Sequence, residues 1–389
     1  MRSRKNLTIS SPEVHQWALQ WLLQARVLKD HGPLCTAEVV WNLLMRAAAR
    51  NISVFAACGD LAHAPSQQAA FDALEDGLPR TLSVLEKRLN TALVGGALPR
   101  RLRRGRREVA IDWHEKPYYG KPKRSRNEIC PGKPRQGTTK FHTYATACIV
   151  EYGQRYTLAL TWVRRHESKV VVLRRLLRRI REMGLKIKCL LLDRAFFNVP
   201  VTEYLQAERL PFLMPVMFRG RKPKKKHPKT GLHWIKKQKA GWYTHTLKNG
   251  KRTVTVSVCV AYRTHRNRKD GKRVQRKLLF AAWRVRGSPT EIRERYRKRF
   301  GIESSYRQAR QARIYTCTQD PHLRLVFVAV AMLLRNLWVW IHATILAEGG
   351  GDTMTLRLEL LRFKRLLEWI AQVVVSELHD GSLPCVQLE

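Results

Sequence analysis

Acidic residues are scarce in this sequence. Asp and Glu number 30 among 389 residues, against 74 Lys and Arg, which leaves a net charge of +44. A disordered polycation is excluded, because 44% of the residues are hydrophobic and the chain has 11 Trp, 11 Tyr and 11 Phe. The length predicts two or three folded domains. The charge predicts a polyanionic partner, and nucleic acid is favoured over an anionic membrane because Lys and Arg release condensed counterions from phosphates.

The sequence also lacks paired cysteines and a complete membrane span. Its eight cysteines form no Cys-x-x-Cys pair, so neither a zinc ribbon nor a disulfide framework is expected. The first residues carry no apolar signal segment, which favours a cytoplasmic, nucleoid-associated protein. The most apolar stretch, 325–346, is interrupted by Arg335 and Asn336 and predicts a buried core helix with no membrane partner. Phosphate-loop and Gly-x-Ser-x-Gly motifs are missing too, so nucleotide-driven and acyl-transfer chemistry have no support.

The pattern along the chain predicts a mixed α/β fold in five regions. Residues 1–104 show helical periodicity and predict a helical DNA-binding domain, with an all-helical packing domain of another use as the alternative. Residues 105–218 alternate strand-like runs with helical segments and predict the first part of an α/β core. The remaining regions are a β-rich insertion at 219–287, the second part of the core at 288–347 and a C-terminal helical region at 348–389.

Two of the few acids follow apolar runs that predict buried strands. Asp112 comes directly after Val-Ala-Ile, and Asp193 comes directly after Leu-Leu-Leu. Ligands bind beyond the carboxyl ends of the strands in open α/β sheets, so both carboxylates are candidates for chemistry. An ordinary loop aspartate is the alternative at each position.

A third acid lies on a capped helix predicted over 288–313. Helical spacing places Tyr296, Arg299, Glu303 and Arg310 along one stripe of this helix. A routine surface ion pair between Arg299 and Glu303 is the alternative. Three acids gathered by the fold would make an oxygen site suited to Mg²⁺ or Mn²⁺. Two such ions beside bound DNA support in-line attack on a phosphodiester.

These residues resemble a motif of the DDE transposases of bacterial and archaeal insertion sequences. The sequence reads Tyr296-x2-Arg299-x3-Glu303-x6-Arg310, with Asp112 in AIDWHEKPYYG and Asp193 in LLLDRAFFN. The resemblance is to the branch with the signature Tyr-x2-Arg-x3-Glu-x6-Lys and a β-rich insertion in its core, and it covers residues 105–345. Arg310 stands where that branch has Lys, which exchanges a point donor for a planar fork.

The resemblance implies an RNase H-like mixed sheet flanked by helices. It implies that Asp112, Asp193 and Glu303 are catalytic and hold two Mg²⁺ or Mn²⁺ ions, with Asp112 contacting both. Tyr296, Arg299 and Arg310 are then expected to bind transposon-end DNA near the cleaved phosphate. The implied activity is cut-and-paste transposition: hydrolysis at transposon ends, followed by attack of the freed 3′-hydroxyl on target DNA, in a complex that is at least a homodimer.

Basic runs predict further contacts to the backbone of double-stranded DNA. They lie at 100–107, 121–126 and 219–229, and their members include Arg103, Arg104, Lys224 and Lys225. Such contacts position the protein without reading sequence.

Several neighbours of these motifs have ordinary structural interpretations. His114 and Glu115 follow Asp112 closely, but strand-end polar residues without a metal role are the stronger expectation. Trp234, Trp242 and Tyr243 are interleaved with lysines in the insertion; a β-core role is favoured over stacking on an extruded base.

Three other functions stay open at the level of sequence. A catalytically inactive, transposase-derived DNA-binding regulator would be expected to have lost one of the acids, and none is lost. Another RNase H-like nuclease, such as a junction resolvase, would not be expected to carry the Tyr/Arg/Glu/Arg stripe. A membrane-bound basic protein would require 325–346 to cross a bilayer.

Overall fold

The computed structural model describes residues 8–96, 98–121, 127–135, 137–151, 155–218, 231–266, 271, 273–348 and 356–378. The helices are α1 (Ser11–Gln24), α2 (Ala37–Arg50), α3 (Val54–Gly59), α4 (Gln67–Gly77), α5 (Leu82–Leu93), α6 (Arg100–Arg103), α7 (Lys169–Glu182), α8 (Val199–Ala207), α9 (Gly231–Ile235), α10 (Pro289–Arg297), α11 (Phe300–Ala309), α12 (Pro321–Ile341) and α13 (Phe363–Leu378). The strands are β1 (Arg106–Pro117), β2 (Ile129–Arg135), β3 (Thr138–Ile149), β4 (Thr157–Trp162), β5 (Lys186–Leu192), β6 (Phe212–Pro215), β7 (Gly241–Asn249), β8 (Arg252–Arg266) and β9 (Arg273–Trp283).

The first region is helical, as its periodicity predicts. Ser10 and Glu13 form a reciprocal capping box at the start of α1, and Thr36 caps α2 through the amide of Val39. Such caps satisfy amides that the first turn of a helix leaves unpaired. The basic run at 100–107 includes regular structure, because α6 and the first residues of β1 lie within it.

One mixed sheet forms the centre of the molecule, which confirms the predicted fold class. Its strand order is β2-β3-β1-β5-β6-β9-β8-β7, with β4 paired to β3. The strands β1, β5 and β6 are parallel to one another, while the other pairs are antiparallel. Strands β7, β8 and β9 extend this same sheet through the β6–β9 pair, so the region predicted as an insertion continues the central sheet.

Helix α12 passes through the core between the sheet and the N-terminal helices. Its apolar window is 94% buried within the protein, which confirms the predicted core helix. The polar residues that interrupt the run are satisfied inside: Asn336 donates to the carbonyls of Leu93 and Thr157, and Arg335 donates to the carbonyl of Arg155 at 2.5 Å. Helix α13 then packs on α1 and α2, which ties the late chain to the first helices.

The helix predicted over 288–313 is wrong as a single element. A capping box of Ser288 and Glu291 starts it as expected, but α10 ends at Arg297 and α11 begins at Phe300. Around this break the amides bond to carbonyls three residues back, among them Arg299 to Tyr296 at 3.0 Å and Ile302 to Arg299 at 3.0 Å. This tighter 3₁₀ geometry changes the turn per residue, so the predicted stripe does not continue to Arg310.

Two strands also differ from expectation. Asp112 does not end β1, which runs five residues further to Pro117 and keeps its pairing with β3. Strand β2, of sequence ICPGKPR, was not predicted, because its prolines and glycine are typical of turns. Such residues are tolerated there because β2 lies at the edge of the sheet, where proline breaks no second ladder.

Candidate active site

The register of two parallel strands brings the two aspartates side by side. The β1–β5 pairing ends at the pair Ile111 and Leu192, so the next residues along each strand are Asp112 and Asp193. Asp193 precedes a one-turn 3₁₀ helix, Arg194–Phe196, but its carboxylate makes no capping bond to that helix. The side chain of Asp193 is therefore available for other contacts at this end of β5.

Arg299 joins all three predicted acids. Its Nη2 lies 2.8 Å from Asp112 Oδ2 and 4.0 Å from Asp193 Oδ1, while its Nη1 donates to Glu303 Oε1 at 3.0 Å. The Arg299 side chain is 6% exposed, whereas Glu303 is 46% exposed. The pair of Arg299 and Glu303 is thus part of a cluster of three acids around a buried cation, and it is not the isolated surface pair that the sequence left open.

Burial dominates the electrostatics of Asp112. Its side chain is 13% exposed, and loss of solvent raises its pKa to about 6. Arg299 and the amide of Trp113, which donates to Asp112 Oδ1 at 2.9 Å, oppose this rise, while Asp193 and Glu303 add to it. For Arg299, burial alone would lower the pKa, but its contact with Asp112 and the other anionic neighbours outweighs burial and raises the pKa.

Two buried tyrosines fix the backbone that carries the aspartates. Tyr296 donates its hydroxyl to the carbonyl of Leu192 at 3.2 Å and packs its ring 5.0 Å from that of Phe280. Tyr306 donates to the carbonyl of Asp112 at 3.3 Å, and its hydroxyl lies 2.5 Å from Thr146 Oγ1. Sequence reasoning missed Tyr306, although its position three residues after Glu303 puts it on the adjacent part of the same helix face.

A second ion cluster holds the α10–α11 break against the start of β1. The buried carboxylate of Glu108 takes Lys298 Nζ at 2.8 Å and Arg295 Nε at 3.1 Å. Lys298 and Arg299 are consecutive, so their side chains anchor the break to two positions of β1, Glu108 and Asp112. The sequence contains no local signal for the Glu108 contacts, since Glu108 and Lys298 lie 190 positions apart and Arg295 is similarly distant.

The other predicted residues lie away from the carboxylates. Arg310 is exposed and lines a pocket beyond His114, and Arg103 and Arg104 are exposed at the end of α6. Lys224 and Lys225 lie outside the described residues, as do all of 122–126 and 219–230. Tyr296 and Arg299 are buried within the protein, so in this conformation neither offers an open surface to DNA.

The remaining neighbours have structural roles. His114 is buried with its ring 4.5 Å from that of Tyr306, and Glu115 pairs with Arg135 at 3.2 Å. Trp234 packs edge-on against Tyr243, and both rings are partly buried on the core. Trp242 is more exposed and donates its indole N–H to the carbonyl of Gly287 at 2.9 Å.

The donor set suits a hard divalent cation. Three carboxylates converge on a single positive group, and carboxylate oxygens are the ligands that Mg²⁺ and Mn²⁺ prefer. In the described part of the chain, no group of three or more Asp, Glu, His or Cys side chains is already spaced to hold an ion. The three acids are gathered around the Arg299 guanidinium, and their oxygen chemistry fits a hard divalent ion.

Comparison with known families decides the class of protein. A model of the transposase DDE domain matches residues 103–334, which is more than half of the chain and a range within which the three acids lie. The chain belongs to the transposase DDE domain family. Its fold is similar to a chain in a cryo-EM structure of a piggyBac transposase synaptic complex with hairpin DNA. That similarity has a TM-score of 0.53 at 12% identity and covers 95% of this chain and 78% of that chain. A search of curated proteins finds no match.

Proposed function

We propose that this DDE-family protein is a cut-and-paste DNA transposase whose catalytic acids are Asp112, Asp193 and Glu303. The observation that carries the proposal is the convergence of these acids from β1, from the end of β5 and from α11 on Arg299. The reaction is hydrolysis of a phosphodiester at each transposon end, followed by attack of the freed 3′-hydroxyl on target DNA. The retention of all three acids favours an enzyme over a catalytically inactive regulator.

The carboxylates would hold two Mg²⁺ or Mn²⁺ ions. When bound there, two divalent ions supply the positive charge that in-line attack needs at the attacking and leaving oxygens. The protein's part is to fix the ligands: Tyr306 holds the Asp112 backbone, and Tyr296 holds Leu192 directly before Asp193. Arg299 pairs with all three acids, so Tyr296 and Arg299 act as positioning residues, with DNA contact as a further role.

The DNA-binding surface is proposed to lie on the exposed basic residues. Arg103, Arg104 and Arg310 are exposed, and Lys224 and Lys225 belong to the same assignment by sequence. The net charge of +44 supports a polyanionic substrate. The piggyBac transposase with the similar fold was captured in a synaptic complex with hairpin DNA. By analogy with that complex, we infer that this chain acts on DNA ends. We further propose that it works as a homodimer, in the cytoplasm and near the nucleoid.

The finer assignments follow from the motif. The proposed branch is that of bacterial and archaeal insertion sequences with the Tyr/Arg/Glu signature, in which Arg310 stands for Lys. The proposed division is a helical DNA-binding domain at 1–104, a catalytic core at 105–218 and 288–347, a β-rich insertion at 219–287 and a C-terminal helical region at 348–389.

The test uses a plasmid that carries the gene with its own flanking DNA. The purified protein with Mg²⁺ is expected to nick this plasmid at the ends of the element and to join them to a second plasmid. Asp112→Asn, Asp193→Asn and Glu303→Gln are each expected to lower strand cleavage by about three orders of magnitude or more while leaving DNA binding measurable. Glu294→Gln, which removes an exposed acid of α10, is the matched control and is expected to cleave normally.

The outcomes separate the alternatives. Full Mg²⁺-dependent cleavage by any of the three acid variants would contradict the site assignment. Binding of the flanking DNA without cleavage by the unmodified protein would favour a regulator. Cleavage of branched DNA without strand transfer would favour another RNase H-like nuclease.

A further inference from the structure

A small pocket lies between the end of α11 and the last turns of α12. Its volume is about 130 Å³, which holds a group of a few heavy atoms and is below the range of sites for drug-sized ligands. We call it the α11–α12 pocket. Its polar lining residues are Arg155, Gln308, Arg335 and His342, and aromatic and aliphatic side chains form the rest. The polar residues indicate what the pocket can bind.

The two arginines of this pocket have no acidic partner. Arg335 is 2% exposed, yet no ion pair joins it or Arg155 to a carboxylate in the part of the chain that the structure describes. Its guanidinium donates to the side chain of Gln308 and to the carbonyl of Arg155, and both acceptors are neutral. Burial lowers the pKa of Arg335 to about 10, so the group stays charged at neutral pH. A buried charge without a counter-charge is costly, and the pocket therefore favours an anion.

Arg155 brings a second positive charge and an unused donor. Its side chain crosses α11 at Gly301, where an added Cβ would lie 2.9 Å from Arg155 Nε. The guanidinium thus uses space that the missing side chain of Gly301 leaves open. Arg155 Nε is buried and has no hydrogen-bond partner among the described residues. Burying a donor without a partner costs free energy, which an acceptor bound in the pocket would recover.

His342 adds an unused acceptor. Its Nε2 lies 2.7 Å from the carbonyl oxygen of Leu361, and because a carbonyl only accepts, Nε2 carries the proton. Its Nδ1 is buried and has no partner among the described residues. Burial lowers the pKa of His342, which keeps the ring neutral and leaves Nδ1 as an acceptor. The lining therefore combines two cations that have N–H donors with one nitrogen that needs a donor.

A hydrogen phosphate ion has the groups that this lining lacks. Its charged oxygens accept hydrogen bonds from guanidinium groups, and its P–OH group donates to a neutral imidazole nitrogen. Sulfate and the diester phosphates of DNA carry no such proton at neutral pH, and an ionised carboxylate carries none either. The acceptor on His342 therefore separates a free hydrogen phosphate from other oxyanions.

We propose that the α11–α12 pocket binds one hydrogen phosphate ion, held by Arg155 and Arg335 through its charged oxygens and by His342 through its hydroxyl. Arg335 is bonded to Gln308, so the bound ion strengthens the link between α12 and α11, the helix that carries Glu303. The proposal does not depend on the proposed function, because the pocket lining includes none of the three acids.

The experiment measures binding of inorganic phosphate to the full chain by isothermal titration calorimetry. The buffer has no divalent ions and contains about 0.15 M sodium chloride, which screens exposed cations. We expect one site per chain, with sulfate bound about tenfold more weakly because it lacks the hydroxyl proton. Arg155→Met is expected to weaken phosphate binding about tenfold. The matched control, Arg297→Met, removes a 77% exposed arginine of α10 and is expected to bind phosphate normally.

A second measurement uses only the unmodified protein. Hydrogen arsenate has the shape and the proton of hydrogen phosphate, and its arsenic atom scatters anomalously. Crystals soaked in arsenate are expected to show an anomalous peak in the α11–α12 pocket, and a peak only elsewhere would overturn the proposal. Equal phosphate binding by Arg155→Met and the unmodified protein would overturn it too. Equal binding of sulfate and phosphate would show an ordinary basic patch and would contradict the role of His342.

Two further outcomes would assign the pocket to another anion. The sequence has one acid, Asp352, between Glu348 and the lining residue Leu356, and it lies outside the described residues. If the unmodified protein binds no phosphate but Asp352→Asn does, the chain's own carboxylate fills the pocket and the proposal fails. If a short DNA duplex displaces the phosphate, the pocket takes a backbone phosphate and the assignment to a free ion fails.

Discussion

Two ion clusters along β1 have opposite charge ratios. Near the start of the strand, the single buried carboxylate of Glu108 takes two cations, Arg295 and Lys298. Four residues further along β1, Asp112 pairs with the single buried cation Arg299. Asp193 and Glu303 share this cation with Asp112. The first cluster has more positive than negative groups, as expected in a chain of net charge +44. The second has three negative groups against one positive group and leaves negative charge for a further cation.

The two clusters differ in role: the Glu108 cluster is a structural contact, and the Arg299 cluster is the candidate site for chemistry. Each cluster is centred on one buried group, Glu108 or Arg299, and both involve the α10–α11 break, so burial of the central group does not distinguish them. The ratio of charges does. Two cations balance the negative charge of Glu108. By contrast, one cation, Arg299, contacts three acids, so negative charge remains unbalanced in that cluster. Removing one partner from each cluster should therefore have different consequences when a divalent ion is added.

The largest expected effect is that of Arg299→Gln. Without the guanidinium, the largely buried carboxylate of Asp112 faces two other acids, so the free energy of unfolding is expected to fall by about 3 kcal/mol without metal. Because Arg299 no longer competes for the same oxygens, Mn²⁺ is expected to raise the unfolding temperature more in the variant than in the unmodified protein. Thermal unfolding with and without Mn²⁺ measures both changes. Arg297→Gln, at a position 77% exposed, is the control and should change neither.

An equal response to Mn²⁺ in Arg299→Gln and in the unmodified protein would contradict this account. It would show that the guanidinium and the metal do not use the same carboxylate oxygens. The proposed roles of the three acids would then need a different arrangement from the one observed.

Glu108→Gln is expected to have a smaller effect that metal does not restore. The variant loses two charge-assisted hydrogen bonds to a buried acceptor, but Arg295 and Lys298 are partly exposed and can be rehydrated. The expected loss in the free energy of unfolding is about 2 kcal/mol, discounted for that exposure. Chemical denaturation measures it, and added Mn²⁺ should leave the difference from the unmodified protein unchanged. A rescue of Glu108→Gln by Mn²⁺ would mean that the two clusters are not distinct.

The acids of the second cluster could be predicted from sequence, but the cluster itself could not. Apolar runs before Asp112 and Asp193 predict buried strands, and parallel pairing at Ile111 and Leu192 then places the two acids together. Glu303 followed from its helical spacing to Arg299. The central position of Arg299 depends on the 3₁₀ turns at the α10–α11 break. At these turns the consecutive side chains of Lys298 and Arg299 pair with Glu108 and Asp112. Helical periodicity has no means of showing such long-range contacts.

The end of β1 was the least predictable part of the fold. Lys116 occurs in an unremarkable strand, and Arg313 and Arg324 lie on either side of a loop with no motif. Their convergence requires β1 to continue past Asp112 and α12 to cross behind it. Likewise, β2 was missed because local turn propensity outweighs strand propensity in ICPGKPR, whereas pairing with the edge of β3 decides its conformation.

The smallest expected effect concerns His142, which pairs in register with Lys116 at the basic end of β1. Burial, with Arg324 adding to it, lowers the pKa of His142 to about 3, and neither ring nitrogen has a hydrogen-bond partner among the described residues. The unfolded state binds a proton near pH 6.5 and the folded state does not, so stability is present above that pH and is lost as the pH falls through it. Between pH 7 and pH 5.5 the loss due to this residue is expected to be about 1 kcal/mol.

His142→Leu isolates that contribution, because leucine fills similar space without a group that can titrate. At pH 7 the variant is expected to be as stable as the unmodified protein, since no hydrogen bond is lost. At pH 5.5 it should be more stable by about 1 kcal/mol, measured by urea unfolding at both pH values. An equal pH dependence of stability in the two proteins would contradict this account, because it would show that folding does not lower the pKa of His142.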